Sequence, residues 1–237
     1  MKENFLGVDV CNLTYEQITN SILKDIDQKK KSFIVAINPE KIMKAKEDEE
    51  LRLLLNKADY QIPDGIGVLI ASRLKGGSIR ERVTGIDMML ALCKTAEENG
   101  KSIFLYGAKP GVADAAAKEL RKQFPSLKIA GTLNGYEKDE TVIKSTINEA
   151  NPDIIFVALG SPAQENWILG NMHELVPSIY QGVGGSFDVI SGRIKRAPAF
   201  YQRMGLEWFY RLLKEPSRIK RQLILPKFLI EIIKKQK

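Results

Sequence analysis

Histidine and cysteine are nearly missing from this chain: 237 residues contain one His and two Cys. Cys11 and Cys93 lie far apart and form no C-x-x-C, so neither a disulfide framework nor a zinc site is expected, and a reducing, cytosolic setting follows. The single histidine, His173, has a solvated or packed place on a helix face as its simplest role. G-x-S-x-G and H-E-x-x-H are absent, which argues against a Ser-His-Asp or zinc-protease mechanism. There is no Walker A sequence. Neither GIGVLI (65–70) nor GVGGSFDVISG (182–192) completes G-x-G-x-x-G, so P-loop and nicotinamide dinucleotide readings are weak and no cofactor is expected. No stretch approaches the roughly 18 apolar residues of a spanning helix, and MKENFLGVDV lacks the apolar core of a signal peptide. The chain is therefore not expected to cross a membrane.

What is present is a full complement of core-forming residues, 44% hydrophobic, enough for one large domain or a domain with an appendage. The net charge of +7 is unevenly placed. Residues 196–237 hold eleven Lys/Arg against three Asp/Glu, so the basicity belongs to the tail and everything before it is close to neutral. Short β-rich runs alternate with helix-length amphipathic segments. SIFLYG (102–107), SLKIAG (126–131), DIIFVALG (153–160) and SIYQGVGG (178–185) are each separated by a helical segment. FLGVDV, SFIVAIN and YQIP continue the alternation in the first hundred residues, with helices near 14–29, through 39–57, from Gly65 and from about Gly85. Continuous apolar strands in a βαβ series predict a parallel sheet covered on both faces. The expected architecture is an α/β, Rossmann-like core over residues 1–195 with a helical C-terminal appendage over 196–237.

In such sheets ligands bind outside the carboxyl ends of the strands. Five polar or glycine-rich clusters fall there: Asn38-Pro39-Glu40, Asp64-Gly65, Gly107–Gly111, Gly160–Pro162 and Gly182–Asp188. YGAKPG and LGSPAQENW each set glycine after a strand and proline near the first helical turn, a pattern that leaves backbone N–H groups facing outward as in phosphate sites, although Gly-Pro punctuation also ends ordinary strands. Gln164, Glu165 and Trp167 add an amide, a carboxylate and an aromatic plane, although Trp167 fits plain core packing equally well. In QIPDGIGV, Asp64 stands where a strand meets a helix, as either an N-cap or a catalytic base. Gly65 and Gly67 beside it favour close approach of a ligand. Asp25 and Asp27 form a D-x-D pair, but in a lysine-rich helix end away from the rim, so a solvated face is expected and no metal.

The tail carries Arg211, Arg218 and Arg221, which read either as a solvated basic stripe or as a clamp for a diphosphate. After them QLILPKFLIEIIKKQK sets an apolar row, Leu223 to Ile233, beside Lys220, Lys227 and Lys234. A short, basic, amphipathic segment of this kind is expected to lie in an anionic membrane interface, a core or oligomer-interface helix being the alternative. Nucleic acid gives such an apolar row nothing to bury in, so no nucleic-acid partner is expected. A homo-oligomer stays open.

INPEKIMKA, IPDGIGVLIASRLKG, ERVTGIDMM, YGAKPGVADAAAKEL, NGY, ALGSPAQENWI, GVGGSFDVISGRIKRAP and GLEWFYRLLKEPSRIKRQ, in that order over nearly the whole chain, resemble the WecG/TagA/CpsF glycosyltransferase family. The resemblance implies inverting, metal-independent transfer of N-acetylmannosamine from UDP-N-acetylmannosamine to the 4-hydroxyl of GlcNAc on undecaprenyl diphosphate, in wall teichoic acid synthesis. It implies a peripheral enzyme on the cytoplasmic face of the membrane. A different UDP-hexose or uronic acid, or a non-catalytic membrane-associated binding protein, are the alternatives. Carried onto this sequence, the family's base is Asp64, with Asn38 and Arg82 beside it. Thr84, Asp87, Gly107, Ala108, Lys109, Gly111, Tyr136, Gly160, Gln164, Glu165, Gly184, Gly185, Asp188, Arg211, Arg218 and Arg221 would contact substrate. Ala36 departs from the family, which often has a hydroxyl there.

Overall fold

The computed structural model describes residues 2–214 and 223–234. Six strands, β3 (Ser32–Ile37), β4 (Tyr60–Pro63), β5 (Ser102–Gly107), β6 (Lys128–Leu133), β7 (Ile154–Ala158) and β8 (Ile179–Gly182), form one sheet in the order β4-β3-β8-β7-β5-β6. Every pairing in it is parallel. Alternate side chains of these strands feed two separate cores. Phe33, Val35, Ile37, Tyr106, Val157 and Tyr180 face one, and Ile34, Ile62, Leu105, Phe156 and Ile179 face the other. The period of two in a strand explains why an unbroken apolar run supplies both faces.

The first core is covered by α2 (Pro39–Glu47), α3 (Glu49–Asn56), α4 (Ile66–Leu74), α7 (Glu140–Ala150) and α8 (Ala163–Asn171). The second is covered by α1 (Tyr15–Asp27), α5 (Gly85–Glu98), α6 (Val112–Gln123) and the short α9 (Ser186–Ile190). The expected Rossmann-like core is therefore observed. The helical segments expected through 39–57 are two helices, divided at Asp48, whose carboxylate caps α3 by accepting from Leu51 N–H at 3.0 Å.

FLGVDV, expected as a single strand, is a hairpin. β1 (Lys2–Phe5) and β2 (Val8–Cys11) pair antiparallel outside the main sheet. Leu6 and Gly7 both have positive φ, 54° and 98°, the conformation a two-residue hairpin turn requires.

Among the described residues, three helices follow α9: α10 (Ala199–Arg203), α11 (Glu207–Lys214) and α12 (Ile224–Lys234). Phe228 and Ile232 of α12 are fully buried in the first core, and Leu229 packs against it. The apolar row of the tail is thus split between two environments and does not face outward as a unit. Ile224 and Leu225 are partly buried, and Leu223, Ile230 and Ile233 are 54%, 52% and 46% exposed. Gly67 makes the docking of α12 possible: a Cβ there would stand 2.5 Å from Leu225 Cδ1 and 2.6 Å from Pro39 Cγ. Its missing side chain accommodates the protein's own tail, and not a ligand as the sequence suggested. No helix among the described residues is long and apolar enough to cross a membrane.

Candidate active site

Because the six strands are parallel, all their carboxyl ends open on one rim, and the five clusters expected there do meet on it. The connections diverge between β5 and β7. β5 leads through α6 to the outer strand β6, and β7 leads through α8 on the opposite face to β8. A crevice at such a switch point is where open α/β sheets bind ligands.

The loops around that crevice are stitched by their backbones. Ala108 N–H donates to Ala158 O at 2.8 Å, and Gly135 N–H donates to Ala108 O at 2.9 Å. Gly107 has φ 120°, and a Cβ on it would stand 2.5 Å from Ala158 O, so only glycine lets the two loops approach this closely. Helices α6 and α8 begin here with Gly111 and Pro162 at their N-cap positions and no side-chain cap bond. By contrast α1, α2, α3, α5 and α7 are capped by Thr14, Asn38, Asp48, Thr84 and Asp139. First-turn N–H groups without a side-chain cap are the donors that an anionic ligand satisfies.

Gln164 and Glu165 are buried beneath the rim, at 3% and 0% exposure. Gln164 accepts from Gly184 N–H at 2.9 Å and donates to Glu165 Oε1 at 3.1 Å. Lys41 Nζ donates to the same carboxylate oxygen at 2.7 Å. The pair therefore braces the β8 loop from below. Trp167 packs against Tyr106 with ring centroids 4.7 Å apart, the core role allowed for it. Gly160, Lys109, Gly111 and Gly185 are exposed along the rim, as is Tyr136, at 60%. Ala108, Gly184 and Asp188 are partly buried.

Asp64 follows β4 directly, and its backbone N–H donates to Ile37 O at 2.8 Å, which ties it to the end of β3. The N-cap of α4 is Gly65, at φ 92°, so Asp64 stands one residue ahead of the cap position. Asn38 caps α2, its Oδ1 accepting from Lys41 N–H at 2.9 Å.

Arg82 and Asp87 sit in an ion-pair chain that sequence spacing did not reveal. Arg82 donates to Glu207 Oε2 at 3.2 Å and to Gln202 O at 2.7 Å. Arg196 forks onto Asp87, 2.7 Å to each oxygen, and its Nε reaches Glu207 Oε1 at 3.3 Å. Thr84 Oγ1 donates to Asp87 Oδ2 at 2.7 Å. Burial raises the Asp87 carboxyl, but bonds from Arg196 and Thr84 outweigh it and hold the group below the usual carboxylate range. Lys41, Arg196, Glu207 and also Tyr15, whose hydroxyl accepts from Thr84 N–H at 2.8 Å, complete the set around the rim. Of these, Lys41, Arg196 and Glu207 fall inside motifs that the sequence marks out, and none of the motifs says what they touch.

Asp25 and Asp27 are separated by the fold. Asp25 is buried, taking bonds from Ser32 Oγ (2.7 Å), Tyr60 Oη (2.8 Å) and Lys30 Nζ (3.2 Å). The expected solvated face is correct only for Asp27, which pairs with Lys101 on the surface. Among the described residues no group of three or more His, Cys, Asp or Glu side chains is placed to hold a metal ion. His173 is exposed in the turn after α8 and takes no part in the rim. Arg218 and Arg221 lie outside the described residues, as does the side chain of Arg211.

A parallel sheet with a glycine-lined switch-point crevice, a strand-end carboxylate and a chain of arginines beside it has the parts of an enzyme acting on a phosphorylated substrate. The sequence matches the model of the glycosyl transferase WecG/TagA/CpsF family over residues 3–237, and the chain belongs to that family. It is 42% identical over 212 residues, 90% of this chain and 83% of the relative, to the N-acetylglucosaminyldiphosphoundecaprenol N-acetyl-beta-D-mannosaminyltransferase of Bacillus subtilis (strain 168). Its identity to the protein of the same name from Bacillus spizizenii (strain ATCC 23059 / NRRL B-14472 / W23) is 40%, over 90% of this chain and 82% of that one.

Proposed function

We propose that this protein transfers N-acetylmannosamine from UDP-N-acetylmannosamine to the 4-hydroxyl of GlcNAc on undecaprenyl diphosphate, with inversion, as a step of wall teichoic acid linkage-unit synthesis. The observation that carries this reading is the convergence of Asp64, the β5 and β7 glycine loops and Arg82 on one rim of the sheet. The names of two relatives at 40–42% identity support the sugar and the acceptor.

In this mechanism Asp64 takes the proton of the acceptor hydroxyl as its oxygen bonds to the anomeric carbon, and the bond from that carbon to the UDP oxygen breaks on the opposite face. Negative charge grows on the leaving diphosphate. The first-turn N–H groups of α6 and α8 and the guanidinium groups of Arg82, Arg211, Arg218 and Arg221 meet it, so no step requires a metal. Gly107–Gly111, Tyr136, Gly160 and Gly184–Asp188 surround the nucleotide and sugar, while Gln164 and Glu165 hold the β8 loop from beneath. Thr84 and Asp87 fix the segment that presents Arg82.

Residues 196–237 serve as the membrane-facing part, on the cytoplasmic leaflet. Phe200, Met204, Leu213, Leu223 and Ile230 each leave more than half of their surface exposed. Lys214, Lys227 and Lys234 add charge beside them, suited to anionic headgroups.

Turnover of a panel of UDP-sugars on a short-chain GlcNAc-diphospholipid, with product analysis, tests the reading. The expected product is the β-linked N-acetylmannosaminyl disaccharide. Preference for another UDP-sugar would overturn the donor, and no transfer from any would overturn the enzyme reading.

A further inference from the structure

Tyr15 is a polar side chain of the rim that the mechanism above does not use. Helix α1 runs antiparallel to β3, so its first residue, Tyr15, arrives at the same rim as Asp64 although its last turn lies at the far end of the sheet beside Ser32. The Tyr15 hydroxyl is held there by Thr84 N–H at 2.8 Å. The neighbouring residue, Val83, donates its N–H to Pro63 O at 3.0 Å, and Pro63 directly precedes Asp64. Two hydrogen bonds and two chain steps, Thr84 to Val83 and Pro63 to Asp64, thus connect the phenol to the residue that carries the carboxylate.

A phenol that accepts from a backbone N–H still has its own proton to donate. Two carboxylates lie near enough to act on it electrostatically, Asp87 and Asp64. Asp87 already receives the fork of Arg196 and the hydroxyl of Thr84. An ionised Asp64 has two oxygens and about four lone-pair sites, capacity for a further donor whatever else it contacts. Burial, with the two carboxylates adding to it, pushes the phenol up to about 12, so it stays a donor throughout the working range.

We propose that Tyr15 is a positioning residue for the proposed base: in the assembled site its O–H donates a hydrogen bond to the Asp64 carboxylate, keeps it ionised and aims it at the acceptor hydroxyl. The proposal rests on the assignment of Asp64 as base. Because Tyr15 is on α1 and Asp64 follows β4, this contact is made by packing alone, and it anchors the base from the core side of the rim.

The test is a double-mutant cycle with Tyr15→Phe and Asp64→Asn, measured with UDP-N-acetylmannosamine and the short-chain lipid acceptor. Tyr15→Phe keeps the ring and its packing. It should lower kcat about 10- to 100-fold, the scale of losing one hydrogen bond to a charged group, with KM for the donor unchanged. In the Asp64→Asn background the same change should cost less than about two-fold, since residues that act through one another are not additive. Thermal melting and UDP binding of Tyr15→Phe confirm that the fold is retained. An equal loss in both backgrounds, or a rise in KM at constant kcat, would assign Tyr15 a different role and overturn the proposal. If Asp64→Asn is crippled and Tyr15→Phe turns over normally, the Tyr15 proposal alone falls. If Asp64→Asn turns over as the parent does, the base assignment falls first and takes this proposal with it.

Discussion

Lys41, in the first turn of α2, and Glu165, in the first turn of α8, meet beneath the rim with 2.7 Å between Nζ and Oε1. The carboxylate is fully buried and the lysine side chain 14% exposed. The pair joins the helix that follows β3 to the helix that follows β7, and through Gln164 it reaches the β8 loop. A buried charge that loses its partner is costly, so Lys41→Met should destabilise the protein by about 3–5 kcal/mol. Lys41→Met/Glu165→Leu, which removes both charges, should recover much of that loss. Urea unfolding of the two variants checks this, and equal midpoints would show that the loss of the ion pair does not set the cost.

Asp64→Asn separates the two roles that the sequence allows for this residue. With Gly65 at the cap position, the substitution should leave thermal stability and UDP binding close to the parent. Turnover should drop by about 10²-fold or more, the scale of general-base catalysis. A stable variant with full turnover would remove Asp64 from the mechanism.

The Arg196–Asp87 fork has a pH signature. The Asp87 carboxyl is held below its usual value in the folded chain, so its contribution to stability is fully present above the unfolded pKa of about 3.9 and is lost as pH falls through the folded value. Arg196→Ala should therefore be less stable than the parent at neutral pH and lose less stability between about pH 5 and pH 2. Chemical unfolding at a series of pH values reads both effects. Parallel stability curves for parent and variant would show that the fork contributes nothing through Asp87.

The two faces of α12 should respond oppositely. Phe228→Ala empties a fully buried site and should cost about 3–5 kcal/mol in unfolding measurements. Ile230→Ser/Ile233→Ser touches half-exposed positions and should change stability by no more than about 0.5 kcal/mol, while co-sedimentation with anionic liposomes weakens. Unchanged liposome binding in the second variant would move the membrane contact off this helix.

Exhaustive EDTA treatment should leave transfer intact. Asp25 of the D-x-D pair is committed to Ser32, Tyr60 and Lys30 within the core. A loss of activity restored by Mn²⁺ or Mg²⁺ would show that a metal takes part.

Much of the candidate site was legible because it is written in backbone chemistry. Strand ends followed by glycine, proline or a lone carboxylate are local patterns, and a parallel βαβ series sends them all to one edge. The contacts that organise the rim were not legible. Arg196 and Asp87 are 109 residues apart, Lys41 and Glu165 are 124 apart, and Tyr15 and Thr84 are 69 apart. Charge type and helical spacing carry no information about such partners, which is why Asp25 read as solvated when Tyr60, 35 residues on, buries it.

By itself the sequence determined the alternation of strands and helices, the parallel sheet, the position of Asp64 at a strand end and the concentration of positive charge after residue 195, because each follows from local periodicity and composition. Tertiary structure alone decided which face of the last helix enters the core and which stays outside, that the missing side chain of Gly67 makes room for Leu225, and that Arg82 and Asp87 are held by residues from the tail. Those outcomes depend on close packing between segments distant in the chain, where a single Cβ or a 2.7 Å fork selects one arrangement among many with the same hydrophobic pattern.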